Sequence, residues 1–220
     1  MKSLRRLPPQ LDLFLFAGDL VNRGNYNAMR SLLAKLKTAK LRCPVYACFG
    51  NDEFDSVKDT LRDIAKGFIT FLDDELAIVE VGDAGRVAIV GSRGVLDQPT
   101  FWQARNIPGI QEHYTGRLRR LGQLLGEARS QADCSVLLTH YACTFSTIEG
   151  EPQRAFPQMG SQRVEKLLKQ HSPTLAIHGH AHRGRKQAMV GSVPVFNVAL
   201  PLQGEIVIIE LPQHSSRNDT

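Results

Sequence analysis

Seven histidines occur in 220 residues, and three of them, His178, His180 and His182, alternate within the eight residues IHGHAHRG (177–184). Other residues of ligand type close apolar runs elsewhere. Asp19 follows LDLFLFAG (11–18), Asn51 ends CPVYACFGN (43–51), and His140 ends CSVLLTH (134–140). Imidazole mixed with carboxylate and carboxamide suits Zn, Fe, Mn or Ni better than an all-oxygen calcium cage. One residue separates His180 from His182, so an extended backbone points both the same way. Two neighbouring ions could then each take one. His178 shares that side but sits inside the apolar run LAIH. A buried, hydrogen-bonded ring competes there with a role touching substrate or metal. Arg93 in GSRG (91–94) is a phosphate-binding candidate, because flanking glycines let a ligand approach the backbone; a plain turn is the competing reading.

These residues meet only if their runs end at a common edge. The chain alternates apolar runs with segments of helical spacing. The pattern predicts a strand over 11–18, a helix over 25–40 with Asn25 as a possible cap, a strand over 43–51 and a helix over 54–67 ending at Gly67. Two successive βα units imply an α/β fold with parallel pairing. FITFL, LAIVEV and RVAIVGS then read as short hairpin or meander strands. A long helix is predicted over 110–131, with its RLRR run (117–120) as a solvated face. A strand over 134–140, a loop over 141–160, a helix over 161–171 capped by Ser161 and a strand over 174–182 follow. VPVFNVAL and EIVIIEL are expected to close the chain as strands, with 212–220 as a frayed tail. In an open α/β sheet the carboxyl ends of strands gather at one edge and build the site, and each ligand candidate stands at such an end. A single domain over 1–220 is expected, since no repeat or linker interrupts the pattern.

Composition sets the class. The hydrophobic fraction is 42% and the charged fraction 22%, ordinary for a globular chain of this length. No apolar run is long enough to span a bilayer, so no membrane partner is expected. Cys43, Cys48, Cys134 and Cys143 form no C-x-x-C pair, which fits reduced thiols and a cytoplasmic location. The net charge of +5 raises the weight of phosphate-bearing or polyanionic partners. Nucleic acid remains a possible partner, although no stacking motif of the single-strand binders stands out.

Four segments carry a resemblance. GDLVNRG (18–24), GNDE (50–53), THY (139–141) and GHAH (179–182) are similar, in order and spacing, to the motifs of the calcineurin-like metallophosphoesterases. The resemblance runs over essentially the whole chain. It implies a four-layer αββα sandwich with two mixed sheets around a dinuclear centre. Asp19 would bridge two divalent transition metal ions (Mn, Ni, Fe or Zn). Asn51, His140 and His180 would complete one site, and His182 would serve the other. The implied activity is phosphohydrolysis of a phosphodiester or phosphomonoester, with a metal-bound hydroxide as nucleophile. Two departures accompany it. The family opens on a strand ending D-x-H, whereas the first apolar run here already carries Asp19. The expectation is therefore a fold whose first strand is missing, holding one ion or none where a complete chain holds two, and open to strand exchange into a homo-oligomer. Asp52 stands where the family has histidine, and becomes the candidate general acid. A non-catalytic binding scaffold on this fold, or a nuclease-type member, are the alternatives.

Overall fold

The structure is a computed structural model that describes residues 4, 7, 8 and 10–213. Residues 214–220, most of the tail expected to fray, lie outside the described residues. Strands β1 (Phe14–Ala17), β2 (Val45–Cys48) and β3 (Thr70–Leu72) pair in parallel in that order. A second, mixed sheet runs β4 (Glu75–Val81), β5 (Gly85–Ser92), β6 (Cys134–Thr139), β7 (Leu175–His178), β9 (Val193–Asn197), β8 (Gln187–Val190). Its inner strands β5, β6, β7 and β9 are parallel, and β4 and β8 pair antiparallel at the edges.

Apolar side chains set the layers. Met29, Leu33 and Leu36 of α1 (Asn27–Thr38) and Leu61 and Ala65 of α2 (Lys58–Ala65) pack on Phe14, Val45, Ala47 and Phe71. Between the sheets lie Cys48 and Leu72 from one side and Val87, Ile89, Val136, Leu138 and Ile177 from the other. Outside the mixed sheet, Tyr114, Leu121, Leu124 and Leu125 of α4 (Ile110–Gln131) and Val164 and Leu168 of α5 (Gln162–His171) bury against Val90, Leu137, Ala176 and Val195. The order is helix, sheet, sheet, helix: the four layers implied by the resemblance. Each fully buried leucine contributes roughly 1.5–3 kcal/mol to that stacking.

Register then sets the site. Ala17 is opposite Cys48, so the segments carrying Asp19 and Asn51 leave the first sheet side by side. Thr139 is opposite His178, so those carrying His140 and His180 leave the second side by side.

Several local expectations change. The N-cap of α1 is Tyr26, already helical at φ −59°, so Asn25 lies too early to cap; Ser161 does cap α5, its Oγ accepting from the Arg163 N–H at 3.1 Å. Arg117 does not belong to a solvated face. Its side chain is buried, its Nε donates to Asp74 Oδ2 at 2.9 Å, and its Nη1 donates to the Gly94 carbonyl at 3.3 Å. A charge this deep is retained because a carboxylate and a carbonyl meet it. EIVIIEL forms no strand among the described residues; Ile206 packs, partly buried, on the core between the first sheet and its helices, and Ile209 and Leu211 on the core between the sheets, while Ile208 stays exposed. Two elements had no clear periodicity and arise only in the fold: β8, and the short helix α3 (Phe101–Asn106), held by a capping box between Thr100 and Gln103. A further short helix, α6 (Leu200–Gln203), follows β9.

Candidate metal centre

The turns leaving β1 and β7 are unusually tight. Asp19 has φ +54° and His180 φ +64°, left-handed conformations that non-glycine residues seldom adopt. Such strain collects where a side chain must be aimed. Glycines make room around it. A Cβ on Gly18 would stand 2.7 Å from His140 Nδ1, and one on Gly50 would run into the Asp19 carboxylate.

Four predicted ligands converge. The ligand atoms of Asp19, His140 and His180 lie within 4.8 Å of one another. Around His140 Nε2 stand Asn51 Oδ1 at 2.8 Å, His180 Nδ1 at 3.1 Å and Asp19 Oδ2 at 3.4 Å. The other His140 nitrogen decides what this means. Its Nδ1 lies 2.9 Å from the Ala17 carbonyl oxygen, which can only accept, so the ring proton sits on Nδ1. Nε2 therefore presents a lone pair, facing the oxygens of Asn51 and Asp19. Burial pushes the His140 pKa down to about 3, so the ring stays neutral and cannot resolve the conflict by taking a second proton. Burial likewise holds His180 well below the usual histidine range and lifts Asp19 to about 6. The lone pairs of His140 Nε2, Asn51 Oδ1 and Asp19 Oδ2 repel unless a proton on His180 Nδ1 or a cation stands among them. The donor set, two imidazoles with carboxylate and carboxamide oxygen, fits a divalent transition metal.

Behind the ligand candidates sits Glu53, fully buried. Its Oε2 accepts from the backbone N–H groups of Gly50 at 2.6 Å and Asp19 at 2.9 Å, and its Oε1 from that of Val21 at 2.9 Å. One carboxylate thus binds the Asp19 turn to the Asn51 turn. Glu53 was not singled out from the sequence, although it is the last residue of GNDE; an acid two places beyond Asn51 reads as surface until its burial is known. Arg23 is exposed, and the loop behind Asp19 is tied by Glu53 and by the Gly24 N–H donating to the Asp52 carbonyl at 2.7 Å.

The remaining candidates fall outside the four. The Asp52 side chain accepts from Asn51 Nδ2 at 3.1 Å, which turns Asn51 Oδ1 toward His140, and the Asp52 N–H donates to Asp19 Oδ1 at 2.9 Å. Arg93 is turned inward. Its Nη2 donates to the Glu53 carbonyl at 2.7 Å and its Nη1 pairs with Asp55 at 3.2 Å. His178 is fully buried, with Nε2 2.7 Å from Thr147 Oγ1 and Nδ1 2.8 Å from the Gly179 carbonyl. Both nitrogens are engaged in the interior, the competing reading of that ring. His182 is exposed and stands outside the close group. Its N–H donates to Glu151 Oε1 at 2.8 Å.

The match to known proteins can now be stated. The family model for calcineurin-like phosphoesterases matches residues 1–184. The chain belongs to that family. Phosphoester hydrolysis with a metal is the family's general activity, and the four converging ligand candidates fall in its matched span. No curated protein sequence matches significantly. Among solved structures, a phosphopantetheinyl hydrolase from Mycobacterium tuberculosis aligns with a TM-score of 0.65 at 15% identity, covering 97% of this chain and 92% of its own. A dimetal phosphatase from Danio rerio aligns with a TM-score of 0.56 at 14% identity, covering 90% and 74%. At such identities the likeness is one of fold. No helix among the described residues is long and apolar enough to cross a membrane.

Proposed function

We propose that this chain is a metal-dependent phosphodiesterase. The observation that carries the reading is the set of lone pairs around His140 Nε2, which Asp19, Asn51 and His180 close into a cation site. These four residues would hold one divalent ion; Asp19 and His182 are the side chains available to a second. A bound ion supplies an acidified water and neutralises charge on the phosphoryl group. The protein's own part is positioning. Ala17 fixes the His140 tautomer, Asp52 orients the Asn51 amide, and Glu53 holds both turns in register. We read Asp52 as a positioning group in place of a proton donor, because its carboxylate is already committed to Asn51.

Charge favours a diester over a monoester. Arg93 is the leading cation acting on Asp19, and its guanidinium is occupied by Asp55 and the Glu53 carbonyl. A site whose arginine is internally paired suits the single negative charge of a phosphodiester better than the double charge of a monoester. The test compares bis-p-nitrophenyl phosphate with p-nitrophenyl phosphate in the presence of Mn²⁺. The diester should turn over faster, and Asp19→Asn should abolish both reactions. A folded, metal-loaded protein inert with Mn²⁺, Ni²⁺, Co²⁺ and Zn²⁺ would refute the enzyme reading and support a binding scaffold.

A further inference from the structure

Two large aromatic side chains stand next to each other in water at the start of α3. Phe101 is 78% exposed and Trp102, the chain's single tryptophan, 62%. Exposed apolar residues scattered singly are ordinary, whereas a contiguous patch marks a place of contact; two neighbouring rings of roughly 200 Å² each make one. The helix that carries them is fixed in place. Thr100 Oγ1 accepts from the Gln103 N–H at 3.2 Å, and Gln103 Oε1 accepts from the Thr100 N–H at 2.9 Å. Gln103 Nε2 donates to the Tyr141 hydroxyl at 3.1 Å, and Ile107, just past the helix, packs on the core under α4. The lead-in is tied too, the Gln98 N–H donating to the Pro157 carbonyl at 2.8 Å. Gln103 and Ile107, four residues apart, are the half-buried side, and every other residue of α3 is exposed. The segment is a rigid projection whose outer side is aromatic.

The charge along it has one sign. From Gln98 to Gln111 the sequence carries Arg105 and no acid. Asp97, the acid before it, is taken up by the Ser161 hydroxyl, the Gln162 N–H and Arg163. Glu112, the next, stands in the first turn of α4. Arg154 is exposed in the segment 153–158 that holds Gln98. The whole chain is positive by 5.

We infer that α3 docks the protein on anionic membrane surfaces, with the rings of Phe101 and Trp102 inserted at headgroup level and Arg105 against lipid phosphate. Aromatic rings favour that interfacial layer, and basic side chains beside them add attraction to anionic lipid. A projecting helix suits a fluid surface, which closes around it. A single-stranded nucleic acid asks instead for a basic groove that tracks its backbone. A second copy would bring a like positive charge to the contact. Docking of this kind needs no spanning helix, so the lack of a long apolar run speaks only against a span. The inference goes beyond the phosphodiesterase reading and does not depend on it.

The test mixes the full chain with vesicles of phosphatidylcholine alone and of an equimolar mixture with phosphatidylglycerol. Trp102, with no other tryptophan to obscure it, reports insertion directly. Co-sedimentation with the mixed vesicles is expected, with a blue shift of the fluorescence and quenching by brominated acyl chains. Binding to phosphatidylcholine alone should be roughly tenfold weaker. Phe101→Ser, which keeps the reporter and removes only an exposed ring, should weaken binding to the mixed vesicles roughly tenfold. Arg105→Gln should weaken it roughly fivefold. Met189→Ser, an equally exposed apolar residue on β8, should leave it unchanged. Absent co-sedimentation overturns the inference, as does binding that leaves the Trp102 spectrum unmoved, that ignores Phe101→Ser, or that is equal for the two vesicles. A dimer without vesicles in which Trp102 is shielded from acrylamide overturns it in favour of a second copy. Saturable quenching by oligothymidylate without vesicle binding overturns it in favour of nucleic acid.

Discussion

The two halves of the candidate metal centre are held by different physics. Asp19 and Asn51 leave the three-stranded sheet on turns joined by the Glu53 carboxylate, through three backbone N–H bonds. His140 and His180 leave the mixed sheet from strands already in register, and His140 is fixed by burial and one carbonyl. The first half is a hinge closed by a side chain; the second is part of the sheet itself. Substitutions should therefore separate stability from metal affinity in the first half and leave the second half's frame intact.

Glu53→Gln gives the largest combined effect. The amide keeps one acceptor and turns a donor toward backbone N–H groups, so buried donors lose their partners. Unfolding in urea should show a loss of about 3 kcal/mol, and a Mn²⁺ binding isotherm should weaken about a hundredfold, as for groups that orient ligands. Asp19→Asn sharpens the contrast. Burial raises the Asp19 pKa to about 6, so the fold disfavours its charge at neutral pH. Removing that charge should leave the metal-free protein at least as stable, by thermal melting, while metal binding is lost. If Asp19→Asn destabilises as much as Glu53→Gln, the division between ligand and brace is wrong.

Arg117→Met probes the frame away from the centre. It strips Asp74 of its guanidinium and leaves Ser92 as the partner donating to it. Breaking one side of a buried pair should cost about 3 kcal/mol in urea unfolding, with the Mn²⁺ isotherm unchanged. Arg93→Ala is the smallest. It frees the Glu53 carbonyl and leaves Asp55 to Lys58, with the Glu53 carboxylate bonds in place. Metal affinity should weaken by about tenfold at most, measured by the same isotherm.

The convergence of the ligand candidates was legible because chemistry and position coincide: Asp19, Asn51, His140 and His180 each follow an apolar run, and parallel sheets collect such ends. The braces were not. Glu53 and Arg117 are charged residues whose spacing reads as surface, and only the packing of one element on another shows them buried. The Ala17 carbonyl carries no side-chain signal at all. FWQARN lacks a helical apolar face, so α3, and with it Trp102, had no period to announce it; the Thr100–Gln103 capping box was the usable sign. EIVIIEL shows the reverse case, a strand pattern that forms no ladder, with Ile206, Ile209 and Leu211 only partly buried and Ile208 exposed.

The central claim is that one cation binds between His140 and His180 with oxygen from Asp19 and Asn51. X-ray absorption on the protein loaded with one equivalent of Zn²⁺ tests it most directly. The account predicts a shell of nitrogen and oxygen near 2.0–2.2 Å, with the multiple scattering of two imidazoles, falling to one in His140→Ala. An oxygen-only shell, or one unchanged in His140→Ala, would contradict it.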